Sequence, residues 1–510
     1  MYENYRMPGE FEKRSNVYVT WLPDYIRAEG YDNRQPCVDV IKALLEYGDV
    51  TVNLNCGTPG SYEEACSRLK EEGVDLDRIE ITQFEDSNFY VRDNGPSIMV
   101  DDKGHSYMVN PAWTYYGVWD KNSPECQSAR KAAVHMAVAL GCFDIVNSEM
   151  VSEGGDREFD GHGTLIAIED TECRKRNPEF TKEEVEAEYK RIYNLNKVIW
   201  LPQPMLEDDD YRLGILDEKE DGTPIFGMSF AAHIDEMCRF ITPNKILLAE
   251  VSDEEAASSK AGAESRRRIE AAYEILSNET DWEGKPFEIV RMPTAAPIEV
   301  VIAPGDEDYE LYKGFIDEMG GKFMDGTPWP EGPVHFYAAA SYCNFLICNG
   351  VVLGQRYYHE GMNEVVKEKD EQAKAVLDVV NVALQVGRAL ADGLHVRLVQ
   401  IRLGNAAVGF QRTDGGNQNH RRGVQVRHAA LDIQELFSAQ VGTKACFSHN
   451  VIGQLQAQFG GSHAVAAVGN VGKGAAVDDG GVVFQRLNEV RVKGILEQRG
   501  HGTGGTDVAS

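Results

Sequence analysis

Residues 181–202 read TKEEVEAEYKRIYNLNKVIWLP, and this stretch decides the fold class. Thr181 with Glu184 three residues on is a capping box: the hydroxyl takes an orphan N–H of the first turn, and the carboxylate reaches back to the capping residue. A helix is predicted from there. The KVIWLP that follows is short, β-rich and apolar, so a strand comes next. The same alternation extends in both directions. VTVNLNC (50–56), NFYVRDNGPSIMV (88–100), NKILLAEV (244–251) and NFLICNGVVLG (344–354) are strand-like runs separated by helical segments. One of those segments, QSARKAAVHMAVALG (127–141), has apolar residues at helical spacing and Gly141 at its C-terminal cap. The pattern predicts an α/β fold, and no tandem repeat of fixed period is legible.

The 510 residues suffice for a large core, and 42% hydrophobic with 26% charged residues is the balance of an ordinary soluble protein. No apolar run reaches the eighteen or so residues of a membrane span. The amino terminus, MYENYRMPGEFEKRS, lacks the basic and apolar regions of a secretory signal, so a cytoplasmic location is the expectation. Ten scattered cysteines without C-x-x-C pairs predict reduced thiols rather than a disulfide framework or structural zinc. A net charge of −31 disfavours nucleic acid as a partner and suits a cationic substrate.

Composition breaks near residue 378. Residues 379–510 contain no Pro, Trp, Tyr or Met, whereas the chain has 19, 6, 21 and 13 of them. That stretch carries 13 Lys and Arg against 9 Asp and Glu, so the acidity lies entirely before it. Strings such as GKGAAVDDGG and RGHGTGGTDVAS offer little apolar area to offset ordering entropy. The expectation is a catalytic domain over 1–378 and a foreign, poorly ordered tail over 379–510, the texture that a frameshifted or wrongly joined reading would give.

Several patches before the break could carry chemistry. AAHIDEMCRF (231–240) places His233 and Asp235 two apart, on one face if the segment is a strand. Histidine shuttles protons near neutrality, and a neighbouring carboxylate can hold a cation, although a polar pair without function reads the same way. YVRDNGP (90–96) sets Arg92 and Asp93 at a strand end entering a Gly-Pro turn; an internal ion pair is the plainer alternative. EGGDREFDGHGT (153–164) surrounds Glu153, Asp156 and Asp160 with glycines that serve either close backbone approach or two tight hairpin turns. SYCNFLICNGVVLG (341–354) reads as a buried strand whose two Asn either orient a substrate or cap a turn. An acidic pocket with one histidine leaves two classes open: thiolate attack on a guanidinium carbon, and metal-assisted hydrolysis. The second lacks further ligands of matching spacing, which favours the first.

The order of MPGEFEKRSNVYVTWLP, YVRDNGP, NPAWTYYG, EGGDREFDGHGT, TECRKRNPEFTKEEVE, KVIWLP, HIDEMCRF and SYCNFLICNG resembles agmatine deiminases and the related bacterial-type peptidylarginine deiminases of the guanidine-modifying superfamily. The resemblance runs from about Met7 to Val352. It implies a five-bladed α/β propeller of ββαβ-type modules, the pentein fold, with no metal and no organic cofactor. It implies that Asp93 and Asp235 bind the guanidinium, that His233 is the general acid and base, and that Glu153 lies in the pocket. Asn344, Trp113 and Arg92 are carried over as substrate-binding residues. The implied reaction converts agmatine to N-carbamoylputrescine and ammonia, on the route to putrescine. A peptidylarginine deiminase is the alternative, disfavoured because NPAWTYYGVWDKNS contains no Arg to clamp a peptide carboxylate. No nucleic acid or membrane partner is implied, and a homo-oligomer is left open.

The family's nucleophile is a cysteine in a G-G-G-x-I-H-C string, and no such string occurs in this chain. Cys446, in VGTKACFSHN, lacks both the glycines and the histidine. Cys238 would point away from His233 by strand parity, as a core residue does. A non-catalytic guanidinium-binding remnant is therefore a third reading. The segment LEDDDYRLGILDEKEDGTPIFGMSF before His233 is longer than the family's usual spacing.

Overall fold

The structure is a computed structural model. It describes residues 4–21, 34–86, 88, 90–229, 231–349, 351–358, 360–392 and 399–400, with side chains described as far as 380. The expectations placed on the rest of 379–510, Cys446 included, lie outside the described residues.

The chain opens with strand β1 (Asn16–Thr20), helix α1 (Gln35–Ala43), strand β2 (Thr51–Asn55), helix α2 (Ser61–Glu71) and strand β3 (Ile79–Thr82), and its three strands pair in parallel. A one-turn helix α3 (Val91–Asn94) leads into β4 (Ser97–Val100), β5 (Ser106–Ala112), α4 (Pro124–Ala139) and β6 (Ile145–Val151). Here β4 and β5 form an antiparallel hairpin, and α4 carries the chain back to a parallel β6. The same ββαβ plan recurs in β7 (Glu158–Phe159), β8 (Thr164–Ile168), α5 (Lys182–Tyr193) and β9 (Lys197–Leu201). After β10 (Ile215–Glu218) and β11 (Pro224–Gly227) it recurs in β12 (Cys238–Thr242), β13 (Lys245–Glu250), α6 (Asp253–Ser258), α7 (Lys260–Asn278) and β14 (Glu288–Pro293). Then follow β15 (Glu299–Ile302), α8 (Glu307–Glu318) and β16 (Val334–Tyr337), and a last repeat in β17 (Leu346–Cys348), β18 (Val351–Gly354), α9 (Glu364–Asp392) and β19 (Val399–Gln400).

The fold is therefore mixed α/β, as its alternation predicts. The long segment before His233 is ordered: β10 and β11 join β15 and β16 in a four-stranded sheet of order β10-β11-β16-β15. The capping box is present at Thr181 and Glu184, and Gly141 takes φ 81° just past α4, where a Cβ would be strained. One contiguous core cluster joins apolar side chains of β2, β8, β9, β12, β13 and β18, and fully buried Ile234, Met237 and Cys238 anchor the segment that carries His233. Each fully buried aliphatic side chain of that kind contributes about 2 kcal/mol. No helix among the described residues is long and apolar enough to cross a membrane.

Three local expectations are corrected. His233 and Asp235 do not lie on a strand: Ile234–Glu236 is a single 3-10 turn, and β12 starts only at Cys238. Arg92 and Asp93 lie on α3 rather than at a strand end, because the Tyr90 carbonyl accepts the Asp93 N–H at 2.9 Å and closes a helical turn. The run 344–354 is a hairpin, not one strand. Asn349 takes φ 46° at its tip and donates through Nδ2 to the Gly48 and Arg14 carbonyls, so this second Asn caps a turn.

Candidate active site

Gly95 and Pro96 end α3. The residue before a proline is driven to extended backbone, and Gly95 has ψ 167°. A Cβ on Gly95 would stand 2.2 Å from the Val91 carbonyl oxygen, so the R-D-x-G-P turn requires glycine there. The turn delivers Asp93 inward and buried. Its Oδ2 accepts from the Tyr116 hydroxyl at 2.9 Å, and its Oδ1 accepts from the Gly155 N–H at 3.1 Å.

The paired glycines of E-G-G serve close approach, but to protein groups. A Cβ on Gly154 would lie 1.7 Å from the Arg92 carbonyl oxygen, and one on Gly155 2.3 Å from His233 Nδ1 and 2.9 Å from Asp93 Oδ1. Glu153 caps the following 3-10 turn, Gly154–Asp156, and Asp156 Oδ2 accepts in return from the Glu153 N–H at 3.0 Å. Asp160 points elsewhere, accepting from the His162 and Thr164 amides to hold the next turn.

His233 is gripped through its backbone. Asp208 Oδ2 accepts its N–H at 2.8 Å, and Asp208 Oδ1 accepts from the Ser229 hydroxyl at 2.6 Å. The preceding Ala232 has φ 57°, a strained region for a residue with a Cβ. Hydrogen bonds over-determine it: Thr171 Oγ1 donates to the Ala232 carbonyl at 2.7 Å, and Arg176 to the Ala231 carbonyl at 2.7 Å.

The imidazole then stands among four carboxylates. Nδ1 is 3.7 Å from Asp93 Oδ1 and 3.9 Å from Asp235 Oδ1; Nε2 is 3.8 Å from both Glu153 Oε2 and Asp156 Oδ1. The 3-10 turn brings His233 and Asp235 together as strand parity would have done, by a different route. Glu153 Oε2 also accepts from Arg176 Nε at 2.7 Å, with both side chains buried. Among the described residues, Asp235 Oδ1 and Oδ2, Glu153 Oε1 and Asp156 Oδ1 are buried acceptors without a hydrogen-bond donor.

Burial by itself would lower the His233 pKa, but the charges of Asp93 and Asp156, the Glu153 contact and Asp235 outweigh it and hold the ring well above its ordinary value. Burial likewise works against the Glu153 charge, and Arg176 overcomes it, keeping this carboxyl below the usual range. Asp156 is pushed well above that range by burial and by the charges of Glu153 and Glu172, and Asp93 is raised by burial. Asp208 is raised by burial to about 6.

A cavity of about 560 Å³ opens beside the cluster, lined by Arg92, Asp93, Gly154, His233, Asp235 and Asn344 and by β1. Asn344 donates through Nδ2 to Glu236 Oε1 at 2.8 Å. Trp113 is buried one ring behind, 5.3 Å from Tyr116, whose own ring is 5.5 Å from that of His233. Arg92 is engaged internally, at 2.7 Å from Glu10 Oε2 and 3.4 Å from Asp235 Oδ2.

Sequence reading missed Asp208, Arg176, Tyr116 and Glu236. Asp208 sits in the run Glu207 to Asp210, which reads as a solvated acidic loop, yet Asp208 is 1% exposed. Tyr116 and Arg176 lie inside quoted motifs, and only the folded contacts separate them from their neighbours.

Glu153, Asp156 and His233 also form a trio whose ligand atoms lie within 4.8 Å of one another. One of these carboxylates, Glu153, is already engaged through Oε2 by Arg176 Nε at 2.7 Å. Of the described cysteines, only Cys37 lines the cavity; its thiol is pushed up by burial and points at the Thr20 carbonyl. Burial also raises the Cys238 thiol well above its usual value and that of Cys343 to about 12, so neither is a thiolate at neutral pH.

The profile of the Porphyromonas-type peptidyl-arginine deiminase family matches residues 6–218 and 220–392. This chain belongs to that family. The match carries it among guanidino-modifying hydrolases, and its relatives bear agmatine deiminase names. The agmatine deiminase of Pseudomonas syringae pv. tomato is 27% identical over 373 residues, covering 72% of this chain and 87% of that protein. The agmatine deiminase of Ectopseudomonas mendocina is 28% identical over 393 residues, covering 74% and 88%. The solved structure of the agmatine deiminase of Enterococcus faecalis superposes with a TM-score of 0.53 at 22% identity, over 75% of this chain and 93% of that one, which shows a shared fold.

Proposed function

We propose that this fold is built to deiminate agmatine, giving N-carbamoylputrescine and ammonia, on a five-bladed α/β propeller of the pentein type. The observation that carries the reading is the convergence of Asp93, Glu153 and Asp235 on His233, with buried carboxylate oxygens that lack donors. A planar guanidinium supplies N–H groups in the fork geometry that such oxygens accept. Asp93 and Asp235 grip the headgroup from the cavity side, and Glu153 sets the electrostatic ground behind the imidazole. In the reaction a thiolate adds to the guanidinium carbon, and the C–N bond breaks as His233 gives a proton to the departing ammonia. Water then adds to the same carbon, losing its proton to His233, and the C–S bond breaks to release the urea product. The described residues contribute every part of this machinery except the nucleophile.

A second reading, guanidinium binding without turnover, is favoured by the absence of any G-G-G-x-I-H-C string from the sequence and by the raised thiols of the described buried cysteines. Ammonia release and calorimetric binding, each with agmatine and with a peptide ending in arginine, separate the possibilities. Ammonia from agmatine supports deimination by this polypeptide. Micromolar agmatine binding without ammonia supports the silent form. Preference for the peptide overturns the substrate choice, and no agmatine binding overturns both readings.

A further inference from the structure

We propose that Glu10 is a positioning residue that draws Arg92 away from Asp235 and so leaves the Asp235 carboxylate available to a cationic substrate. The proposal rests on the reading of Asp235 as a guanidinium acceptor.

Glu10 lies in the amino-terminal M-P-G-E segment, far in sequence from the other site residues, and it is mostly buried. Its Oε2 is shared by two guanidinium groups, Arg92 and Arg239, each at 2.7 Å, and its Oε1 accepts from the Ile347 N–H at 2.9 Å. Burial opposes its ionisation, but Arg239, Arg92 and Arg14 prevail and keep its pKa below the usual carboxylate range. Arg239 has other holds: the carboxylate of Glu158 and the carbonyls of Cys343 and Phe345. Arg92 has fewer. Beyond Glu10 it reaches the Phe345 carbonyl at 3.5 Å, and among the described residues the only other carboxylate paired with it is Asp235, at 3.4 Å from Nε.

That 3.4 Å separation is too long for a well-formed N–H to O bond, and neither oxygen of Asp235 accepts one. Arg92 is thus a cation held just short of the carboxylate that faces the cavity. With Glu10 neutralised, the nearest charge left to it is Asp235, and closing the gap by about half an ångström would create an internal guanidinium-carboxylate pair. An incoming guanidinium would then have to displace a covalently tethered competitor of the same chemistry.

The test compares the full-length protein with Glu10→Gln, Arg92→Gln and the double variant in calorimetric titrations with agmatine. Glu10→Gln is expected to weaken binding by at least about tenfold, the scale of one charged contact. Adding Arg92→Gln is expected to restore it, because the competitor is gone. A purely structural Glu10 would give no such restoration, and a double variant as weak as Glu10→Gln would overturn the proposal. A ligand-free arm uses thermal melts: Asp235→Asn should lower the melting temperature more in the Glu10→Gln background than in the parent, since only there is the Arg92 to Asp235 pair closed. Equal effects in both backgrounds would overturn the proposal, whereas absence of agmatine binding by the parent protein would overturn the guanidinium reading instead.

Discussion

Gly155 sits where three functional groups leave no room for a side chain, since a Cβ there would reach within 2.3 Å of His233 Nδ1. Gly155→Ala is expected to push the imidazole out of the carboxylate cluster, costing about 2 kcal/mol of stability and most of the agmatine affinity, readable from a melt and a titration. Asp86 carries a different prediction. It is buried, accepts from the Asn88 amide at 3.0 Å, and burial raises its pKa to about 7. A carboxyl whose folded pKa exceeds its unfolded value holds its proton more tightly when folded. Stability therefore falls as pH rises from about 4 to about 7, by up to about 4 kcal/mol for this group. Asp86→Asn should flatten that part of the pH profile of the melting temperature, and an unchanged profile would refute the assignment. At this scale the sequence was readable where a motif is local. H-x-D, R-D-x-G-P and E-G-G gave His233, Asp235, Asp93 and Glu153, which the fold gathers within 4 Å of the ring. It was unreadable where burial gives a residue its meaning. Asp208 and Arg176 look like solvated charges until the chain closes over them.

At the scale of elements, alternation and caps located β2, β4, β9 and β13 and the helices α4 and α5, because apolar period and capping chemistry are set by neighbours in sequence. YVRDNGP was expected to end a strand and HIDEM to lie on one, yet each folds as a single helical or 3-10 turn: the local Gly95-Pro96 pair ends α3, and Asp208, distant in sequence, seats the His233 backbone. The run 344–354 was long enough for one strand, and the turn that begins at the left-handed Asn349 divides it. Helix α9 offers a direct check on packing. Asp370, buried on it, accepts from the Tyr342 hydroxyl at 2.7 Å, the Tyr357 and Tyr358 amides at 3.0 and 2.9 Å, and Arg356 Nε at 3.2 Å. Asp370→Asn leaves Arg356 without its charge partner and should cost about 3 to 5 kcal/mol, measured by denaturant unfolding. A loss below about 1 kcal/mol would show that α9 is held by its apolar face alone.

For the molecule as a whole, composition located an abrupt change, and the structure adds that residue 379 falls inside α9, which continues to Asp392. The family match also ends at residue 392. Sequencing the transcript across codons 365 to 400 is expected to reveal a change of reading frame or a misplaced junction; one continuous native frame would refute that origin for the composition break. What a single sequence could not convey was how distant pieces meet. Glu10, Asp93 and Asp235 are spread over more than two hundred residues, and no local pattern reports that they line one cavity.

The ring of acids around His233 also bears on how a ligand gets there. On the proposed reading the ligand, agmatine, carries two positive charges at neutral pH, and a strongly acidic protein whose cavity is lined by Asp93 and Asp235 would draw it in before any contact forms. Encounter should therefore be faster than diffusion alone allows in dilute buffer and slow by roughly tenfold on approaching physiological ionic strength, while the rate of escape changes little. Stopped-flow association at a series of salt concentrations would expose this, and an arrival rate indifferent to salt would mean that the pocket waits for its cation rather than pulling it in.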